Sequence, residues 1–144
     1  MEKSVPAFSL ETIAKENKYP AKILVAEDFP VNQEVVSGFL ESFGFSAHIV
    51  ENGLQAIRAL EEDYYDLVLM DVQMPEMDGL EATRVIRDPD SKVLNHDIGI
   101  VALTGHALQG DRQRYVDAGM NDYLAKPIDP ESLYIVVTRN LPAS

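Results

Sequence analysis

The 144-residue sequence has no cysteine, only 12 Lys and Arg against 24 Asp and Glu, and no apolar run near the ~20 residues that a membrane span requires. The missing cysteine excludes disulfides, thiolate metal ligands and a cysteine nucleophile together, and it accords with a reducing, cytoplasmic setting. The shortage of basic residues leaves a formal charge of −12. That balance opposes nucleic acid as a direct ligand, because affinity for it is built from Lys and Arg that neutralise phosphates. No stretch has the apolar core of a signal peptide or a stop-transfer sequence, so no membrane segment is expected in this chain. Glycine-rich phosphate loops and ATP-binding boxes are missing too, which rules out a kinase acting by itself. What is there is a globular composition, with 46% hydrophobic residues. One domain of this length buries roughly 70% of the surface its unfolded chain exposes, and it needs no staple.

The charge is not spread evenly. Residues Met1 to Pro20 hold three acids (Glu2, Glu11, Glu16) and three bases (Lys3, Lys15, Lys18), so the whole excess falls on Ala21 to Ser144. This places a boundary near Tyr19 and Pro20, with residues 1–20 a linker or tail and residues 21–144 the domain. Within the first segment, Ser9 to Asn17 reads either as a short helix with Glu11 and Lys15 at i,i+4 or as a loosely ordered tail.

From Ala21 onward, short apolar runs alternate with longer amphipathic ones. Lys22–Ala26, Ala47–Val50, Leu67–Met70, Ile100–Leu103 and Tyr123–Ala125 have strand length, and the first, third and fourth are almost wholly apolar. Continuous hydrophobicity suits strands covered on both faces. Val35/Val36, Phe39/Leu40 and Phe43 recur at helical spacing and stop at Gly44, a C′ glycine. Further helical patterns run through Ala56/Ile57/Leu60, Ala82/Val85/Ile86 and Leu108/Tyr115/Val116. The last opens on Asp129–Pro130, an N-cap with proline at N1, and continues through Leu133, Val136 and Val137. Five strand-then-helix units predict an α/β fold with a five-stranded, parallel, doubly wound sheet.

In such sheets ligands bind beyond the carboxyl ends of the strands. Those ends carry Glu27 and Asp28 after strand one, Asp71 after strand three, Thr104 after strand four and Lys126 after strand five, whereas strand two ends blandly at Glu51–Asn52. A single Asp or Thr there is ordinarily a turn or cap residue. Three carboxylates on one rim are different, since they repel and raise one another's pKa unless a cation sits among them. Oxygen-only donors suit Mg²⁺, which takes one or two protein carboxylates plus a phosphate oxygen. An Asp beside such an ion, a Lys and a hydroxyl is a phosphoryl acceptor in the making, because carboxylates form acyl phosphates and the transfer needs mainly positioning and charge stabilisation. His48, His96 and His106 lack metal-ligand spacing and read as structural, although His106, two residues after Thr104, can line the rim. Met70, Met74 and Met77 read as packing.

The strings Lys22-Ile-Leu-Val-Ala-Glu-Asp28, Leu67-Val-Leu-Met-Asp-Val-Gln-Met-Pro-Glu-Met-Asp-Gly79, Val101-Ala-Leu-Thr-Gly-His-Ala107 and Asp122-Tyr-Leu-Ala-Lys-Pro-Ile128 together resemble the receiver (response regulator) domain of two-component phosphorelays. The match runs in order over about Ala21 to Leu141. Val31-Asn32-Gln33 and the linker Ile86 to His96 make it most similar to the receivers of hybrid sensor histidine kinases. The resemblance implies a flavodoxin-like sheet of order 2-1-3-4-5. It implies Asp71 as the phosphoacceptor, modified to 4-aspartylphosphate. It also implies a Mg²⁺ ion on Asp28, Asp71 and the backbone carbonyl of Gln73, with Glu27 acting through water. Lys126 would pair with the phosphoryl group, Thr104 would hydrogen-bond it, and Thr104 with Tyr123 would form the switch. Lys126–Pro127 matches a bond that is usually cis in this family, and Gly79 matches the turn back into a helix. Phe29, Gly99 and Gly105 depart from the family's usual Asn, Pro and Ala without removing a reactive group.

The function implied is transfer of a phosphoryl group from a partner's phosphohistidine, on a histidine kinase or a histidine phosphotransfer domain, to Asp71. The isolated chain is then no enzyme beyond its own phosphorylation and dephosphorylation. A monomer is expected, excised from a hybrid kinase, with a stand-alone response regulator as the alternative. Among rivals, a flavodoxin-like electron carrier needs a phosphate loop where Glu27-Asp28-Phe29-Pro30 stands. An Asp-nucleophile phosphatase needs a second Asp where Gln73 stands. A phosphorylation-independent interaction module leaves the intact acidic, Thr and Lys set without a purpose.

Overall fold

The computed structural model describes residues 20–105 and 109–142. The expectations for Ser9–Asn17, His106 and Leu108 lie outside the described residues. Strands β1 (Lys22–Ala26), β2 (Ser46–Val50), β3 (Leu67–Asp71), β4 (Gly99–Thr104) and β5 (Asp122–Ala125) alternate with helices α1 (Pro30–Ser42), α2 (Gly53–Glu62), α3 (Gly79–Arg87), α4 (Gln109–Ala118) and α5 (Pro130–Asn140). All pairings are parallel, in the order β2-β1-β3-β4-β5, as expected. The three nearly apolar runs are the three central strands, and the mixed ones, β2 and β5, form the edges.

Alternation along the strands divides the core into two layers. Leu24, Val68, Met70, Ile100 and Ala102 point to the face covered by α2, α3 and α4, where they meet Ala56, Leu60, Ala82, Ile86 and Tyr115. Ile23, Val25, Leu69, Val101 and Leu103 point to the other face and meet Val36 and Leu40 of α1, Phe43 at its C-cap, and Leu133 and Val137 of α5. Each fully buried aliphatic side chain contributes about 1.5–3 kcal/mol of transfer free energy, so the sheet is fixed from both sides.

Helix ends follow the capping chemistry written in the chain. Asp129 accepts from the Ser132 N–H at 3.0 Å, with Pro130 in the first turn of α5. Asn52, at the bland end of β2, caps α2 through Gln55. Gly44 has φ +92; its N–H bonds to Glu41 O and that of Phe45 to Leu40 O, both at 3.0 Å, the paired bonds that close a helix on a left-handed residue. Gly119, φ +109, closes α4 in the same way, a stop the periodicity alone did not single out. The linker from α3 to β4 is held by Arg87, whose guanidinium donates to Gly119 O (2.9 Å), His96 O (2.6 Å) and Asn121 Oδ1 (2.9 Å). His96 is structural as expected, its Nδ1 lying 2.9 Å from Ile86 O. The Lys126–Pro127 bond is cis.

Candidate functional site

Because every strand runs the same way, the carboxyl ends of β1, β3, β4 and β5 meet at one rim. There Glu27, Asp28, Asp71, Thr104 and Lys126 line a single open cavity of about 840 Å³. Glu27 leaves β1 directly and is fully buried. Its Oε2 accepts from the Phe29 N–H at 3.1 Å, which folds the chain after β1 back over the carboxylate. Asp71, the last residue of β3, is 5% exposed. Its Oδ1 accepts from the Gln73 N–H at 3.0 Å and its Oδ2 from Lys126 Nζ at 2.9 Å. Asp28 is exposed and faces the opening.

The electrostatics of this set are unbalanced. Carboxylate oxygens of Glu27, Asp28 and Asp71 lie within 4.8 Å of one another, and among the described residues Lys126 is the cation that pairs with them, with Nζ 3.0 Å from Glu27 Oε1 and 2.9 Å from Asp71 Oδ2. Burial alone would depress the Lys126 ammonium, yet the two carboxylates carry its pKa above the ordinary lysine value. The contact with Glu27 is a close ion pair, and among the described residues the buried Oε1 has no donor other than Lys126. Three convergent carboxylates with only one ammonium paired to them, and hence a formal local charge below zero, fit a hard divalent cation of the Mg²⁺ type.

Gln33 and Tyr115, to which the sequence alone assigns no role at the site, help build the rim. Gln33, in the first turn of α1, donates through Nε2 to the Glu27 carbonyl at 2.6 Å, so the glutamine of Val31-Asn32-Gln33 anchors the acidic segment to the helix. Tyr115, read only as a helical apolar position, is 3% exposed and places its hydroxyl 2.7 Å from Thr104 Oγ1. Nothing in a periodic pattern separates such a tyrosine from any other core residue. Tyr123 is half-buried, and the Arg112 guanidinium lies 4.8 Å from its ring centroid. Gly79 is required for a reason other than a turn. Its φ is not positive, but a Cβ there would collide with the backbone oxygen of Asp71 and lie 2.9 Å from Met70 Cγ. At Gly105, by contrast, a Cβ would meet nothing within 4 Å, in keeping with tolerated small-for-small variation. Met70 is core, with Met74 and Met77 packed against it.

Residues 23–138 match the family model of the response regulator receiver domain. The chain belongs to this family. It is 40% identical over 127 residues to hybrid signal transduction histidine kinase I of Dictyostelium discoideum, a match covering 85% of this chain and 7% of that protein. The chain therefore spans a small part of that relative's length. Among solved structures, the receiver domain of a Pseudomonas aeruginosa sensor histidine kinase, with a magnesium ion coordinated in its active-site cleft, is 44% identical. It superposes with a TM-score of 0.75 over 84% of this receiver and 97% of that one. The receiver domain of a Saccharomyces cerevisiae response regulator, crystallised with a histidine phosphotransfer protein, is 30% identical with a TM-score of 0.76, covering 85% and 89% of the two chains. The receiver fold and the kinship with histidine-kinase receivers expected from the motifs are thus both met.

Proposed function

We propose that this receiver domain accepts a phosphoryl group from a partner's phosphohistidine onto Asp71 in a Mg²⁺-dependent phosphorelay. The observation that carries the reading is the Asp71 carboxylate itself, gripped by Lys126 Nζ and the Gln73 N–H and ringed by the oxygens of Glu27 and Asp28. In the transfer an Asp71 oxygen bonds to phosphorus as the P–N bond breaks, and the imidazole leaves with that electron pair. Lys126 turns from Asp71 toward the phosphoryl oxygens and offsets their charge, and Thr104 donates its hydroxyl proton to one of them. Asp28, Asp71 and the Gln73 carbonyl would hold the ion, with Glu27 in support through water. When bound, Mg²⁺ supplies charge neutralisation and an in-line template for the transferring group.

The acquired charge and acceptor oxygens then act on the switch pair Thr104 and Tyr123 and so on the surface of α4, β5 and α5. Phe29, Val31 and Val35 expose apolar surface at the start of α1, beside the cavity mouth. On this reading they are the docking face for a histidine kinase or a histidine phosphotransfer domain; a related yeast receiver was crystallised with a histidine phosphotransfer protein. The domain comprises residues 21–144, with residues 1–20 a linker or tail. It is a monomeric, cytoplasmic receiver excised from a hybrid sensor histidine kinase, and its chemistry is confined to its own phosphorylation and dephosphorylation. With Mg²⁺ and beryllofluoride, the amide resonances of residues around Asp71, Thr104 and Lys126 are expected to shift together, and to revert on chelation. Shifts that need no Mg²⁺, or that lie away from this rim, would contradict the reading.

A further inference from the structure

Thr104 and Asp71 end neighbouring strands, but their side chains leave the sheet on opposite faces. Ala102 and Ile100, two and four residues before Thr104, belong to the layer beneath α2, α3 and α4. Leu69 and Leu67, two and four residues before Asp71, belong to the layer beneath α1 and α5. Alternation therefore directs Thr104 toward α4, and there it meets Tyr115, with the two hydroxyl oxygens 2.7 Å apart. Both residues are buried, at 3% exposure each, so this is a hydrogen bond in a low-dielectric setting, where it is stronger than in water.

We propose that Tyr115 is a positioning residue for Thr104: its phenol holds the threonine hydroxyl on the α4 side of the sheet, and phosphorylation of Asp71 must break that bond. The inference rests on the phosphoacceptor reading of Asp71. A phosphoryl group presents acceptors, so Thr104 serves it only by donating its one hydroxyl proton. Where that proton now points at the phenol oxygen, it must be withdrawn; where the phenol donates instead, the bond still opens as Thr104 turns toward the strand ends. Tyr115 does not follow, because its ring is fixed in the core with Ile86, Ala102 and Met120. A second contact comes from the same helix. Arg112, three residues earlier and hence on the same face, covers the Tyr123 ring, so α4 holds both residues of the switch pair in their resting places.

The test is a double-mutant cycle on the apparent affinity for beryllofluoride in saturating Mg²⁺. Tyr115→Phe keeps the ring and removes one oxygen. It should tighten beryllofluoride binding by roughly three- to tenfold, the worth of one neutral hydrogen bond, with Mg²⁺ affinity unchanged. In a Thr104→Val background the same substitution should have no effect. A merely structural role would instead alter Mg²⁺ and beryllofluoride binding alike, in both backgrounds. Unchanged or weaker beryllofluoride binding by Tyr115→Phe, or a tightening that persists without the threonine hydroxyl, would overturn the proposal. Failure of the unsubstituted chain to bind beryllofluoride would overturn the phosphoacceptor reading on which it rests.

Discussion

A methyl group added at Gly79 would strike the backbone carbonyl oxygen of Asp71 and press on Met70. Both neighbours are immobile, one being backbone and the other a fully buried side chain, so relief must come from moving β3 or the start of α3. Gly79→Ala is therefore expected to cost about 1–3 kcal/mol, the usual penalty of overpacking. It should lower the urea midpoint without changing the slope of the transition, and wild-type stability in this variant would contradict the account. At this scale the gathering of Glu27, Asp28, Asp71, Thr104 and Lys126 around one cavity was legible, because parallel strands bring their carboxyl ends together. The supporting residues were not. Gln33 acts through a backbone carbonyl six residues away, and Tyr115 through a single oxygen on an otherwise ordinary core side chain. Neither pairing leaves a mark in composition or spacing.

Between elements, the entry to β5 is tied to the end of α5 through one carboxylate. Asp122 receives Arg139 in a two-point fork, Nε to Oδ2 at 2.8 Å and Nη2 to Oδ1 at 3.0 Å, and Asn140 Nδ2 at 2.8 Å. Burial alone would raise this carboxyl, but the bonds from Arg139, Asn140 and the Tyr123 N–H hold it below the usual aspartate range. A folded-state pKa below the unfolded value means stability that is complete above about pH 4 and is lost as pH falls through the lower, folded value. Asp122→Asn should thus lose about 1–3 kcal/mol near neutral pH, and the gap to wild type should close below about pH 4. A urea series across that range checks it; a constant gap would show that the carboxylate's charge plays no part. Caps and stops announced by local chemistry, such as Asp129–Pro130 and Gly44, were readable in advance. The Arg87 clamp was not, since its acceptors at residues 96, 119 and 121 become neighbours only when the sheet has formed.

For the whole molecule, the fold was readable because β1, β3 and β4 are covered on both faces and so carry unbroken apolar runs, while the mixed runs of β2 and β5 mark the edges. The charge of −12 is mostly a solvated surface that favours solubility. Three of its carboxylates are held together against one lysine, and that concentration is the part with chemical meaning. The most direct test is the mass of the intact chain after incubation with acetyl phosphate and Mg²⁺, compared with a chelated sample and with Asp71→Asn. The expected result is a gain of one phosphoryl group, mapped to Asp71 and lost in both controls; an undiminished gain in Asp71→Asn would contradict the account.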